Sequence, residues 1–181
     1  MDILKGLTPV TERMPMAIYK GVLDNLPLAC VDVVLHRITA PKTSDVLMVH
    51  RLEEPSKGML WFPGGRIVKN VGLTDMVRVH LQRECGLDDS TFDIGRQIGT
   101  FDYSSRTGVV PGLNEGFHAL GTCYLARLKN PNHPISLDHT SRNYEWTNEL
   151  MLRGVTLHPY IAEVLNASRL FEQRFDNVAS L

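Results

Sequence analysis

His80, Arg83 and Glu84 stand three and four positions apart, the spacing that brings side chains onto one face of a helix. A face with one carboxylate, one imidazole and one guanidinium suits at most a single divalent ion, because Mg²⁺ prefers oxygen ligands and Arg83 would repel it. Each residue also has a plainer reading: Glu84 as a solvated residue near a helix terminus, His80 as a packed or surface histidine, Arg83 as an exposed helix charge. Upstream, Gly64-Gly65 lead into Arg66. Paired glycines let a backbone approach a ligand closely, which points Arg66 at a bound group, with a strand-end salt bridge as the alternative. Asp32 lies inside the apolar run Leu28-Ala29-Cys30-Val31-Asp32-Val33-Val34-Leu35. A carboxylate buried there needs a partner, whether a ligand, a backbone amide or an arginine.

The elements that must hold these residues are legible from period and punctuation. Pro15, followed by Met16, Ala17, Tyr19, Val22, Leu23 and Leu26, reads as a short helix closed near Asn25 and Pro27, part of a helical extension over 1–27. Residues 28–35 and 46–49 read as strands joined by the turn-rich Pro41-Lys42-Thr43-Ser44. Trp61-Phe62-Pro63-Gly64-Gly65-Arg66 reads as a strand ending in a glycine bend. From Thr74, a candidate cap, to Cys85 the period is helical through Leu73, Val77 and Leu81, and Gly86 supplies the left-handed stop. Residues 92–103 and 117–128 read as longer strands around a polar loop, 104–116, able to close over a ligand, with His118 at its edge as a pocket element. His158-Pro159 opens a last helix, expected over 157–175, with Ile161, Val164, Leu165, Leu170 and Phe171 on its buried side. Strands and helices alternate without a regular βαβ period, so the fold class is α+β.

The 181 residues suffice for one domain with a sizeable core, and a single domain over 1–181 is expected. A net charge of −1 argues against binding nucleic acid through a broadly basic surface. No apolar run reaches the length of a membrane helix, and residues 1–9 do not read as a signal peptide, so a cytoplasmic protein without membrane contact is expected. Cys30, Cys85 and Cys123 are odd in number and set among apolar neighbours, which fits reduced core thiols.

Residues 61–87 resemble the Nudix box, whose general pattern is G-x5-E-x7-R-E-U-x-E-E-x-G-U with U aliphatic. Anchored on Gly65 and Gly86, its aliphatic positions fall on Leu81 and Leu87. Val71 stands for the first glutamate, Val79 for the arginine, and His80 and Arg83 for two of the acids; Glu84 is retained. The resemblance implies a Nudix fold, a mixed β-sheet sandwiched between α-helices. Within that superfamily the chain is most similar to the GDP-mannose hydrolase branch, which also has a reduced box. The matching features are Asp32 in the first long strand, Arg51 closing the next, Trp61 to Arg66, Glu84, and Tyr144-Glu145-Trp146.

That branch cleaves at the sugar carbon, releasing GDP and the sugar with one metal ion. By the resemblance, a single Mg²⁺ or Mn²⁺ would be held by the Gly64 carbonyl and Glu84; the spacing of His80 to Glu84 makes it a candidate further ligand. Arg51 and Arg66 would stabilise the departing diphosphate, and Asp32 would orient the sugar. Arg83 would bind substrate as a phosphate clamp standing in for a lost metal. The branch's general base is a histidine three residues before the Tyr-x-Trp run. Here Ser141 holds that place, and His139, five residues before Tyr144, is the candidate base. A small-molecule nucleotide is the expected partner, and dimerisation is common in the branch, which puts a homodimer among the expectations. Two rivals stand beside this reading: a Nudix enzyme cutting phosphorus in another diphosphate, and a non-catalytic Nudix-fold module binding a nucleotide or a protein.

Overall fold

The computed structural model describes residues 4, 6–10, 14–106 and 116–179. Its elements run α1 (Met16–Asn25), β1 (Leu28–Ala40), β2 (Thr43–Arg51), β3 (Leu60–Trp61), β4 (Gly64–Arg66), α2 (Leu73–Cys85), β5 (Phe92–Ser105), β6 (Phe117–Leu128), β7 (Ser141–Thr147), α3 (Glu149–Arg153) and α4 (Pro159–Ser168). All strands join one seven-stranded sheet, with β1 and β6 parallel and the remaining pairs antiparallel. This is the mixed sheet of the α+β class.

Alternation along β1 divides the core. Val31, Val33 and Leu35 face Met76, Val77 and Leu81 of α2, while Val34 faces the opposite side, where Ile161, Val164 and Leu165 of α4 pack. Each of these is fully or almost fully buried, and burying a side chain of that size contributes roughly 1.5–3 kcal/mol. The sheet therefore lies between α2 on one face and α4 on the other.

One edge of β1 is shared by two strands. Residues 30–32 pair with β4, residues 36–40 pair with β2, and between them Val33 donates its amide to Pro63 O at 2.9 Å. The expected strand over 61–66 is accordingly split: Trp61 ends β3 on β2, Phe62-Pro63 crosses, and β4 begins on β1. Proline cannot donate to a ladder, which accounts for the break. The split delivers the glycine bend to Asp32.

Other boundaries also differ from expectation. Gly72, not Thr74, is the N-cap of α2, without a side-chain cap bond, whereas Gly86 does adopt the left-handed stop at φ 66°. The last helix ends at Ser168 instead of reaching 175: Arg169 turns left-handed, and the Ser168 hydroxyl bonds Leu165 O at 2.6 Å. Leu170 and Phe171 pack half-buried outside it. Among the described residues of the expected extension only Met16–Asn25 is helical; ahead of it Val10 N bonds Lys69 O at 3.1 Å and Thr8 O accepts from Asn70 at 2.7 Å. β7 and α3 were not anticipated. Of the expected ligand loop, residues 107–115 lie outside the described residues. No helix among the described residues is long and apolar enough to cross a membrane.

Candidate active site

The site is built on the pairing of β1 with β4, which sets Asp32 opposite Gly64 and Cys30 opposite Arg66. A Cβ on Gly64 would lie 2.1 Å from Asp32 Oδ1 and 2.6 Å from Val31 O, so only glycine allows this approach. Asp32 is 7% exposed. The Tyr160 hydroxyl, brought from α4, donates to Asp32 Oδ2 and lies 3.1 Å from Cys123 Sγ. Burial pushes the Asp32 carboxyl up to about 6, against the pull of the Tyr160 hydrogen bond, His80 and Arg51. Tyr160, raised by burial and by Asp32, remains a protonated donor.

On the other side of the bend, the buried stripe of α2 includes His80, fully buried, and Glu84, 7% exposed. Glu84 Oε2 accepts the Gly64 amide at 3.0 Å, and Oε1 accepts from the Arg83 guanidinium. The same Arg83 Nη2 is 3.1 Å from His80 Nδ1, and Arg83 Nε is 4.0 Å from Asp138 Oδ2. A Cβ on Gly65 would lie 3.2 Å from His80 Cε1 and 3.6 Å from Arg83 Nη2, which places this cluster directly against the second glycine. Where the box pattern has glutamate and arginine, Val71 and Val79 line a hollow of about 480 Å³ with Leu4, Pro9 and Val68.

Arg51 and Arg66 close the group. Arg51 leaves β2 with its guanidinium 5.2 Å from the Trp61 ring centroid, and its Nε is buried without a partner. Arg66 is exposed and lies 4.7 Å over the ring of Tyr19 on α1. Burial raises the Cys30 thiol to about 12, with Asp32 adding to the rise while Arg66 and Arg51 oppose it. Beneath Arg51 runs an aromatic wall: Trp61 stacks on Tyr160 at 5.4 Å, and His158 stands edge-on to Tyr103 at 5.1 Å. His158 Nδ1 accepts the Tyr160 amide at 3.2 Å, and burial, then Arg51, lowers the imidazole to about 4.

Asp32, Arg51, Gly64, Arg66, His80, Arg83 and Glu84 are thus brought together. His139 is exposed and sits beside Asp138, which approaches Arg83. His118 is not brought in: it lies at the start of β6, five residues before Cys123, the partner of Asp32 in the parallel register. Its Nε2 meets Asp102 at 3.1 Å on an exposed surface. Three contributors carried no signal in spacing: Tyr160, Asp138 and Tyr19. Each meets its partner only through tertiary approach, although the His158-Pro159 helix start marks where Tyr160 enters.

The sheet, the glycine bend and the following helix are those of the Nudix fold. The protein superposes on an Ap4A hydrolase of C. elegans with a TM-score of 0.62, 14% identity, and coverage of 78% of this chain and 94% of that one. It superposes on the Nudix domain of Shewanella oneidensis NrtR, solved with ADP ribose, at a TM-score of 0.60 and 20% identity over 86% of this chain and 97% of that one. No family model matches the chain. Along the sequence it is 30% identical over 157 residues to the low-salt glycan biosynthesis protein Agl8 of Haloferax volcanii, covering 87% of this chain and 92% of that protein. The chain belongs to the same family as Agl8, and its fold is that of the Nudix hydrolases.

Nudix hydrolases generally use divalent metal ions. The donors at this bend do not suit one: Glu84 is the lone carboxylate of the α2 cluster, and its two oxygens are engaged by the Gly64 amide and by Arg83. His80 Nδ1 faces the same guanidinium. Among the described residues no group of three or more His, Cys, Asp or Glu side chains is placed to hold an ion. The single Mg²⁺ or Mn²⁺ expected at Gly64, His80 and Glu84 would therefore have to displace a tethered cation.

Proposed function

We propose that this chain hydrolyses a nucleoside diphosphate joined to a sugar, of the GDP-mannose type, by attack of water at the sugar carbon. The observation that carries this reading is the gathering of Arg51, Arg66 and Arg83 around a glycine bend flanked by two buried carboxyls, Asp32 and Glu84. When the C1–O bond breaks, its electron pair goes to the diphosphate while the ring becomes oxocarbenium-like. The guanidiniums answer the charge on the diphosphate, and Asp32, held by Tyr160, orients a sugar hydroxyl. Water forms the new bond to C1, and His139 takes its proton. The name of the relative Agl8 places that protein in glycan biosynthesis, and glycan assembly consumes activated sugars, which supports the substrate class.

Incubation with GDP-mannose and a panel of other nucleotide sugars, with and without Mg²⁺, is expected to yield nucleoside diphosphate and free sugar. In ¹⁸O-water the label is expected in the sugar; label in phosphate would transfer the chain to the phosphorus-cutting class. A second reading, a nucleotide-binding module without turnover, is favoured by the engagement of both Glu84 oxygens. It predicts thermal stabilisation by nucleotide with no product.

A further inference from the structure

We propose that Arg83 does the work of a bound metal, so that this cradle takes a nucleoside diphosphate without any divalent cation. The inference rests on the diphosphate class proposed above and adds how that group is held. Arg83 Nη2 touches the Glu84 carboxylate and sits 3.1 Å from His80 Nδ1, the two α2 groups a cation would otherwise meet. The carboxylate's other oxygen is tied at 3.0 Å to the Gly64 amide, which keeps Glu84 aimed at the bend. A guanidinium at Oε1 neutralises Glu84, and an arriving Mg²⁺ would meet both its repulsion and an occupied ligand.

The rest of Arg83 is available. Its side chain is 54% exposed, whereas Glu84 beneath it is 9% exposed, so the guanidinium is anchored through Nη2, has Asp138 Oδ2 4.0 Å from Nε, and is otherwise open to solvent. Guanidinium groups offer parallel donors that match phosphate oxygens. His80 Nδ1 lies 3.1 Å from Arg83 Nη2 and 3.3 Å from Glu84 Oε1, and its Nε2 is buried without a partner. The ring edge against Gly65 is Cε1 and Nδ1, so the buried imidazole backs the bend beside the guanidinium.

The test is calorimetric titration of the full chain with GDP, once with excess EDTA and once with Mg²⁺. The dissociation constant is expected to change by less than about threefold between the two. Arg83→Gln, an exposed substitution between good helix formers, is expected to weaken GDP in EDTA by roughly 10- to 100-fold. Mg²⁺ is expected to restore part of that loss, because the Glu84 oxygen has been released. Arg83→Lys, which keeps the charge but not the fork, is expected to fall between. Wild-type binding that collapses in EDTA, Arg83→Gln binding equal to wild type, or no GDP binding at all would overturn the proposal. The titration reads binding alone. Absence of turnover on every nucleotide sugar would therefore end the hydrolase reading without touching this one, and metal-dependent binding with turnover would do the reverse.

Discussion

The two walls of the glycine bend handle a buried carboxyl in opposite ways. On the α2 wall Glu84 meets a guanidinium and a backbone amide, so its negative charge is answered where it stands. On the α4 wall Asp32 is held by a neutral phenol against aromatic rings, and burial pushes its carboxyl up to about 6. Equal chemistry at short separation thus yields one carboxylate paired with a guanidinium and one carboxyl poised to exchange a proton near neutrality. The difference teaches that the eroded box has not simply lost charge. Cation and carboxylate are joined on the helix, while the proton-labile acid stands on the strand.

The sharpest break of this comparison is Gly64→Ala, which drives a methyl into both Asp32 Oδ1 and the Val31 carbonyl and so disrupts both walls at once. Backbone cannot yield as a side-chain tip can, and a loss of about 3 kcal/mol or more in urea unfolding is expected. An alanine variant within about 1 kcal/mol of wild type would show that the bend is not held as described.

Asp32→Asn tests the α4 wall through pH. The folded carboxyl holds its proton up to about 6 and the unfolded one only to 3.8, so Asp32 lowers stability as pH rises through that window. The difference amounts to about 3 kcal/mol by neutrality. His158 works against it: the folded imidazole, lowered to about 4 from 6.5, stays neutral while the unfolded one gains a proton, so its contribution declines as pH falls. In wild type the two slopes oppose each other. Asp32→Asn is expected to leave stability rising with pH between 4 and 6.5, the slope of His158 alone. An unchanged slope in the variant would refute the assignment.

Glu84→Ala sharpens the α2 wall. It strips the Gly64 amide of its acceptor and leaves Arg83 beside a buried imidazole. Because Arg83 is half exposed, solvent screens part of the cost, and about 1–3 kcal/mol is expected in denaturant melts. The smallest effect belongs to His118→Ala, whose exposed pairing with Asp102 lies away from both walls. Stability within about 0.5 kcal/mol of wild type is expected, together with unaltered turnover of any nucleotide sugar cleaved; a large activity loss would bring that edge into the site.

Much of this molecule was legible residue by residue. The helix after the bend, its stop at Gly86, the strand at 117–128 and the helix opening at His158-Pro159 all follow from period, caps and proline. The end of α4 did not, because the apolar period runs on through Leu170 and Phe171, whose packing against the core needs no helix. Nor did β7, where Ser141-Arg142-Asn143 and Glu145 mask a strand that exists through its pairing with β2.

The sequence by itself determined what short-range forces decide: a glycine-permitted bend, one helical face carrying His80, Arg83 and Glu84, and an acid inside an apolar strand. Whether that face would hold a free cation or its own arginine was left open, because the answer depends on which partner reaches each Glu84 oxygen. Tertiary structure supplied those partners, together with the hydroxyl from 128 residues away that meets Asp32. Desolvation and electrostatic pairing depend on distances in space, and chain spacing alone does not set them.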